Sequence, residues 1–244
     1  MALPKIDVPI YDVKLISSKQ KIKFRPFLVK EQKLFLMNNE SNDTEATVNV
    51  IRQVLKNCVL TEIDIDSLPV FDLEYLFMNL RARSVSEVVE LKYRCNNTIK
   101  DEENNEKQCN MINDVSFNVL EIKPTISPEH DKKIALSEKM GIVMKYPTFE
   151  MIQKNQGKPE NEMIMDLIYS TIDYVWDADK LYYTKDQTKE EIEEFIDNMQ
   201  QKDLEKIQKF FATMPKLKKD IHYKCSKCGY EEDITIEGIQ SFFG

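Results

Sequence analysis

Glycine is scarce in this chain, with five among 244 residues. The cradles that hold phosphates against bare backbone amides need glycine at set intervals, and neither the nucleotide-binding nor the dinucleotide-binding pattern occurs, which argues against nucleotide chemistry. Histidine is scarcer still: His130 and His222 are the two present, and neither has the spacing of a metallohydrolase or a deaminase. No apolar run approaches the roughly 20 residues that a membrane-spanning helix needs. The opening residues, MALPKIDVPIYDVKLI, carry neither a basic leader nor a small-residue cleavage site. The expected setting is therefore a reducing cytoplasm, with no membrane partner. Positive charge is also in deficit: 34 Lys and Arg stand against 42 Asp and Glu, a formal charge of −8. Affinity for a phosphate backbone comes from clustered cations, so a duplex-binding protein is disfavoured and an acidic, protein-binding or structural role fits better.

What the chain does have is a set of cysteines in two widely separated segments. Cys225 and Cys228 stand in KCSKCGY, where two intervening residues let both sulfurs face one tetrahedral ion and Gly229 supplies a permissive backbone. Cys95 and Cys109 are separated by thirteen residues, NNTIKDEENNEKQ, which read as a solvated insertion at the tip of a second knuckle. Strand-like sequence flanks both pairs: VVELKYR and VSFNVLEI around the first, IHYK and DITIEGI around the second. Strand, knuckle, strand, twice over, is the layout of a zinc ribbon. The four thiolates are accordingly candidate ligands of one structural Zn2+ joining regions more than one hundred residues apart. The competing readings are four unrelated buried thiols, a redox CxxC, and His222 in place of one cysteine. Cys58 stands apart, on an apolar helix face with Ile51, Val54 and Leu55, and reads as core.

These signals predict an α+β protein with an N-terminal β-hairpin, a mainly helical body and a split zinc-ribbon-like module. Residues 1–86 hold the hairpin and the first helices, residues 87–123 with 216–244 the split ribbon, and residues 124–215 an inserted, mainly helical region. Alternation over 6–16 and 20–27 around SSKQ makes the hairpin. Helices are expected over 29–38, from about 44, and after Asp66 or Ser67 with Pro69 in the first turn and Leu73, Leu76, Phe77 and Leu80 as its buried stripe. In the insert, 129–140 reads as a short helix and GIVMKYPTF as a strand halted at Pro147. Met163, Ile164, Leu167, Ile168 and Ile172 share one helical face. Thr188 and Glu191 have capping-box spacing ahead of Ile192, Phe195 and Ile196, and Leu204, Ile207 and Phe211 continue the helical pattern.

No catalytic constellation emerges. The acidic run EEIEE at 190–194 falls on the polar face of a helix, and four thiolates would fill a zinc ion's coordination shell, leaving no position for water or substrate. No enzyme and no small-molecule substrate are expected. Lys216, Lys218, Lys219, Lys224 and Lys227 make one basic cluster, partly cancelled by Glu231, Glu232 and Asp233, so a ribbon that binds nucleic acid stands as a minor alternative. Phe242 and Phe243 near the end either pack back on the ribbon or serve as anchors for a partner.

The string KFRPFLVKEQKLFLM after the hairpin, the later MKYPTF, and the ending CSKCGYEEDITIEGIQSFFG together resemble the baseplate hub assembly proteins of T-even-type contractile-tailed phages. The resemblance spans nearly the whole chain in the same order, with the insert between Cys95 and Cys109 as its main departure. It implies a non-enzymatic role in the host cytoplasm: helping the central hub of a phage baseplate assemble as a chaperone, or staying in the baseplate as a subunit. Its partners would be hub proteins. Arg25, Phe27, Phe242 and Phe243 are the contact candidates, against a reading of Phe24, Phe27, Leu28, Phe35 and Leu36 as ordinary core.

Overall fold

A computed structural model describes residues 6–38, 44–100, 104–155 and 157–238. Among them the chain forms seven α-helices and twelve strands in five small sheets, an α+β protein. It divides into two compact units: residues 1–63, 74–125 and 216–244 make the first, residues 64–73 and 126–215 the second.

The first unit opens with the hairpin β1 (Tyr11–Lys14) and β2 (Lys21–Phe24), paired antiparallel across the SSKQ turn. Helices α1 (Val29–Asn38) and α2 (Thr44–Cys58) follow. The hairpin is stitched to the end of α2 by Arg25 N–H to the Cys58 carbonyl (3.0 Å) and Leu60 N–H to the Lys23 carbonyl (2.8 Å). Alternation then buries Leu15, Ile22 and Phe24 while Val54, Leu55 and Cys58 are buried on α2. Helix α3 (Val70–Ser84), whose first residues through Leu73 belong with the preceding 64–69 segment to the second unit, buries Leu73, Leu76, Phe77 and Leu80, the stripe read from its spacing. Its entry differs from that reading. Asp64 caps a short 3-10 turn, Ile65–Ser67, by accepting the Asp66 N–H, and α3 begins only after Pro69, whose carbonyl accepts from Asp72 and Leu73. Pro69 lacks an N–H to give, so it sits at the boundary.

Two antiparallel ribbons complete this unit. Strand β3 (Val88–Arg94) pairs with β6 (Ile112–Asn118), and β11 (Lys218–Lys224) pairs with β12 (Glu231–Glu237). Their inward residues, among them Val89, Val115, Phe117, Ile221, Tyr223 and Ile236, share one core with Met78 and Ala82 of α3 and with Cys95, Cys109 and Cys225. The segment between Cys95 and Cys109 is not a plain solvated loop. Strands β4 (Thr98–Lys100) and β5 (Glu106–Gln108) pair with each other, with Ile99 opposite Lys107. Thr125 and Lys216, where the chain leaves this unit and returns, bond to each other through both backbone amides (3.1 and 3.3 Å).

The second unit is less helical than the sequence pattern implies. It contains an antiparallel sheet in the order β10-β9-β8-β7, from β7 (Lys133–Ala135), β8 (Met140–Met144), β9 (Ile172–Asp177) and β10 (Lys180–Tyr183). The short helix expected over 129–140 is replaced by β7 and a turn in which Ser137 Oγ accepts the Met140 N–H (3.1 Å). Helices α4 (Phe149–Asn155), α5 (Glu160–Thr171), α6 (Lys189–Asp197) and α7 (Gln201–Thr213) follow the periodic stretches. The α5 stripe ends early: Ile168 and Thr171 are buried, Ile164 is exposed, and Ile172 already starts β9. Helix α6 carries the capping box, with Thr188 Oγ1 accepting the Glu191 N–H and Glu191 Oε2 accepting the Thr188 N–H. Ile134, Ile142 and Met144 from the sheet and Ile168, Ile196, Ile207 and Phe210 from the helices form the core. His130 is held in this unit between Thr213 and Tyr146, each 3.0 Å from a ring nitrogen, and stacks on Tyr146. No described helix is long and apolar enough to cross a membrane.

Candidate metal centre

Each knuckle is shaped by backbone hydrogen bonds that the local sequence makes possible. In the second, Cys225 N–H donates to the Tyr230 carbonyl (2.8 Å) and Gly229 N–H to the Cys225 carbonyl (2.9 Å), closing a tight turn. Gly229 has φ +72°, the left-handed region a residue without Cβ enters freely. In the first, Cys95 N–H donates to Met111 O (2.8 Å), Asn110 N–H to Cys95 O (3.1 Å) and Cys109 N–H to Asn97 O (2.8 Å). The β4–β5 hairpin thus draws its own ends together, and a thirteen-residue separation produces the same narrow neck as a short knuckle. Asn110, at φ +54°, is of the residue type that tolerates this conformation best after glycine.

The two knuckles face one another. Ligand atoms of Cys95, Cys109, Cys225 and Cys228 all lie within 4.8 Å of one another. Cys95 Sγ is 3.7 Å from Cys228 Sγ and Cys109 Sγ is 3.8 Å from Cys225 Sγ, far beyond a disulfide bond. Sulfurs at about 2.3 Å from a tetrahedral zinc ion are separated by about 3.8 Å. These residues therefore fit a four-thiolate metal site with all positions filled, in the layout of a zinc ribbon. Cys95, Cys109 and Cys225 are buried and Cys228 is half-buried.

The thiols are not equivalent in the absence of an ion. The Cys228 amide, aimed at the Cys225 sulfur, and then the Lys227 amide and Asn113 pull the Cys225 pKa down to about 6 against the effect of burial. Cys228 is lowered by the Tyr230 amide and by Asn97, whose Nδ2 lies 3.6 Å from its sulfur. Burial pushes Cys95 up to about 11. At Cys109 the Met111 amide works downward, but burial and the Cys228 and Cys225 sulfurs carry the thiol upward. A bound dication would favour the thiolate at all four.

Two residues that sequence reasoning passed over tie the halves together. The buried Asn113 of β6 accepts both Ser226 N–H (2.9 Å) and Ser226 Oγ–H (3.1 Å) through Oδ1, a bond across 113 positions of sequence. Asn97 holds Cys109 with its carbonyl and Cys228 with its side chain. Nothing in an asparagine's sequence context announces such a role. Of the alternatives weighed above, His222 lies outside the cluster, exposed and 2.8 Å from Asp233. Cys58 is core: it is fully buried, its thiol is raised to about 11 by burial, and Arg25 Nη1 lies 3.5 Å from its sulfur.

A family model described as T4 bacteriophage base plate protein covers residues 8–244. The chain belongs to that family. No curated protein and no solved structure matches this baseplate protein. The resemblance carried by KFRPFLVKEQKLFLM, MKYPTF and the cysteine-containing C-terminal string thus holds at the level of the phage baseplate. Other baseplate polypeptides are then its class of partner. Of the contact candidates, Arg25 is committed inward: its guanidinium donates to both oxygens of the fully buried Glu31 (3.0 and 3.3 Å) and to Asn57 O (2.9 Å). Burial would raise the Glu31 carboxyl, but Arg25 and the Leu28 N–H hold it below its usual range. Phe27 is half-buried against Phe35, with ring centroids 5.8 Å apart. Phe242 and Phe243 lie outside the described residues. In the basic cluster, Lys216, Lys219 and Lys224 pair with Glu237, Glu121 and Glu231.

Proposed function

We propose that this baseplate protein is a zinc-stabilised, non-enzymatic factor that helps the central hub of the baseplate assemble in the host cytoplasm, acting as a chaperone. The observation that carries the reading is the family match over residues 8–244, in a chain whose one cluster of metal-type ligands among the described residues is four cysteines. Four sulfurs complete a tetrahedral shell, so zinc bound there supplies a cross-link and no site for substrate. The charge of −8 and the pairing of three cluster lysines with glutamates support a protein partner over a nucleic acid.

Mass spectrometry of purified particles separates a chaperone, absent from finished virions, from a permanent subunit, present in fixed ratio. Affinity purification from infected cells with metal analysis is expected to return hub proteins and one zinc per chain. Recovery of the chain without hub proteins, or free of any transition metal, overturns the proposal.

A further inference from the structure

Among the described residues, strand β10 lies at the end of its sheet and pairs on one side only, with β9. In such a strand every second residue turns its N–H and C=O away from the neighbour, a template for another chain. Natural edges are kept very short or blunted by charge, proline or bulges; β10 is short, at four residues. Beyond Lys180 at the turn, however, it presents Leu181, Tyr182 and Tyr183, which are 53%, 41% and 41% exposed. Beside Tyr182 a groove of about 270 Å3 opens between the β9–β10 hairpin and α6, with Ile172, Val175, Ile192 and Phe195 in its wall. That volume falls short of the roughly 300–1,000 Å3 of small-molecule pockets and suits a side chain or two. Asp177 and Glu191, both exposed, add two carboxylates to the lining. On the opposite face Tyr183 packs on Tyr174, ring centroids 5.4 Å apart.

We propose that β10 is an open edge that receives an extended segment of another baseplate polypeptide as a fifth strand. An apolar side chain of that segment sits in the groove beside Tyr182, and a neighbouring basic residue meets Asp177 and Glu191. Main-chain pairing supplies affinity and the groove supplies choice among sequences, as in other cases of strand addition. Aromatic side chains at the edge are the type that dominates binding hot spots. The occupant's class rests on the family membership; neither the metal nor the hub role enters the argument.

The test uses the full chain and overlapping short peptides tiling the other baseplate proteins of the same phage. Bound peptides are expected to alternate apolar residues, to carry Lys or Arg beside an apolar anchor, and to protect backbone amides of residues 180–184 from hydrogen exchange. The double variant Leu181→Lys/Tyr182→Lys, with its fold checked by circular dichroism, is expected to bind them at least about tenfold more weakly, or 1.4 kcal/mol. Absence of any binding peptide, binding that leaves 180–184 unprotected, or equal affinity in the variant overturns the inference. So does self-association that the variant abolishes, which would make the occupant a second copy of this chain. If the variant fails to fold, the exchange pattern of the unsubstituted chain decides. Hub co-purification without protection at β10 sinks this inference alone; protection at β10 without hub co-purification sinks the assembly-factor reading alone.

Discussion

Cysteine is the residue whose meaning depends most on position here. Five occur, and four converge while Cys58 is buried at the end of α2 near Arg25. Structural zinc contributes roughly 10–16 kcal/mol of apparent binding free energy in small peptides. Cys225→Ser or Cys228→Ser is therefore expected to lose stoichiometric metal and a large part of the stability of the first unit. Cys58→Ser is expected to keep the metal and cost about 1–3 kcal/mol for a hydroxyl in the core. Thermal melts alongside metal analysis check this, and equal melting temperatures for the three variants would refute the assignment. His130 makes a second residue-scale prediction. Burial and then Lys132 lower its pKa from 6.5, with Asp131 opposing, so the unfolded chain binds the proton more readily than the folded one. Stability is then full above the unfolded value and declines as pH falls through about 6.5 toward the lower folded value. Denaturant melts between pH 8 and 5 should show the decline, and His130→Gln should remove that part of it; an unchanged slope in the variant counts against the argument.

At the scale of elements, two glycines with different constraints separate turn geometry from packing. At Gly229 a Cβ would meet nothing within 4 Å, so Gly229→Ala bears only the cost of φ +72°, about 1–2 kcal/mol. At Gly141 in β8 a Cβ would fall 2.3 Å from the Ile134 carbonyl oxygen and 2.6 Å from the Trp176 ring, so Gly141→Ala must push β7 or Trp176 aside. Urea melts are expected to rank Gly141→Ala as the more damaging; the reverse order would mean that the knuckle, not the sheet, tolerates substitution less. The β4–β5 hairpin illustrates how an element can be invisible in sequence. Thr98–Lys100 offers a single apolar residue, Ile99, and Glu106–Gln108 offers none, so the alternation is too short to mark them, yet pairing each to the other brings Cys95 to Cys109.

For the whole molecule, a metal held by the four cysteines would link sequence segments that flank a large insertion. Chelation is expected to loosen β3, β6, β11 and β12 of the first unit, whose core includes the cysteines, while α5, α6 and α7 of the second unit keep the protection given by their own core. Hydrogen exchange with and without a chelator reads this directly. Uniform loss across both units, or no loss in either, would show that the metal is not a local cross-link.

Amphipathic spacing sufficed for the N-terminal hairpin, the stripe of α3, the capping box of α6 and the cysteine-flanking strands, because each is a local pattern of burial or backbone satisfaction. The same local logic misplaced Ile172 and the 129–140 segment, where a sheet absorbs residues whose spacing also suits a helix. The cysteines announced the chemistry of a metal site; their convergence, the Asn113–Ser226 clasp, the inward turn of Arg25 and the open edge of β10 were decided by tertiary structure. Those features depend on which distant segments become neighbours, and proximity across a hundred residues leaves no periodic trace in a single chain.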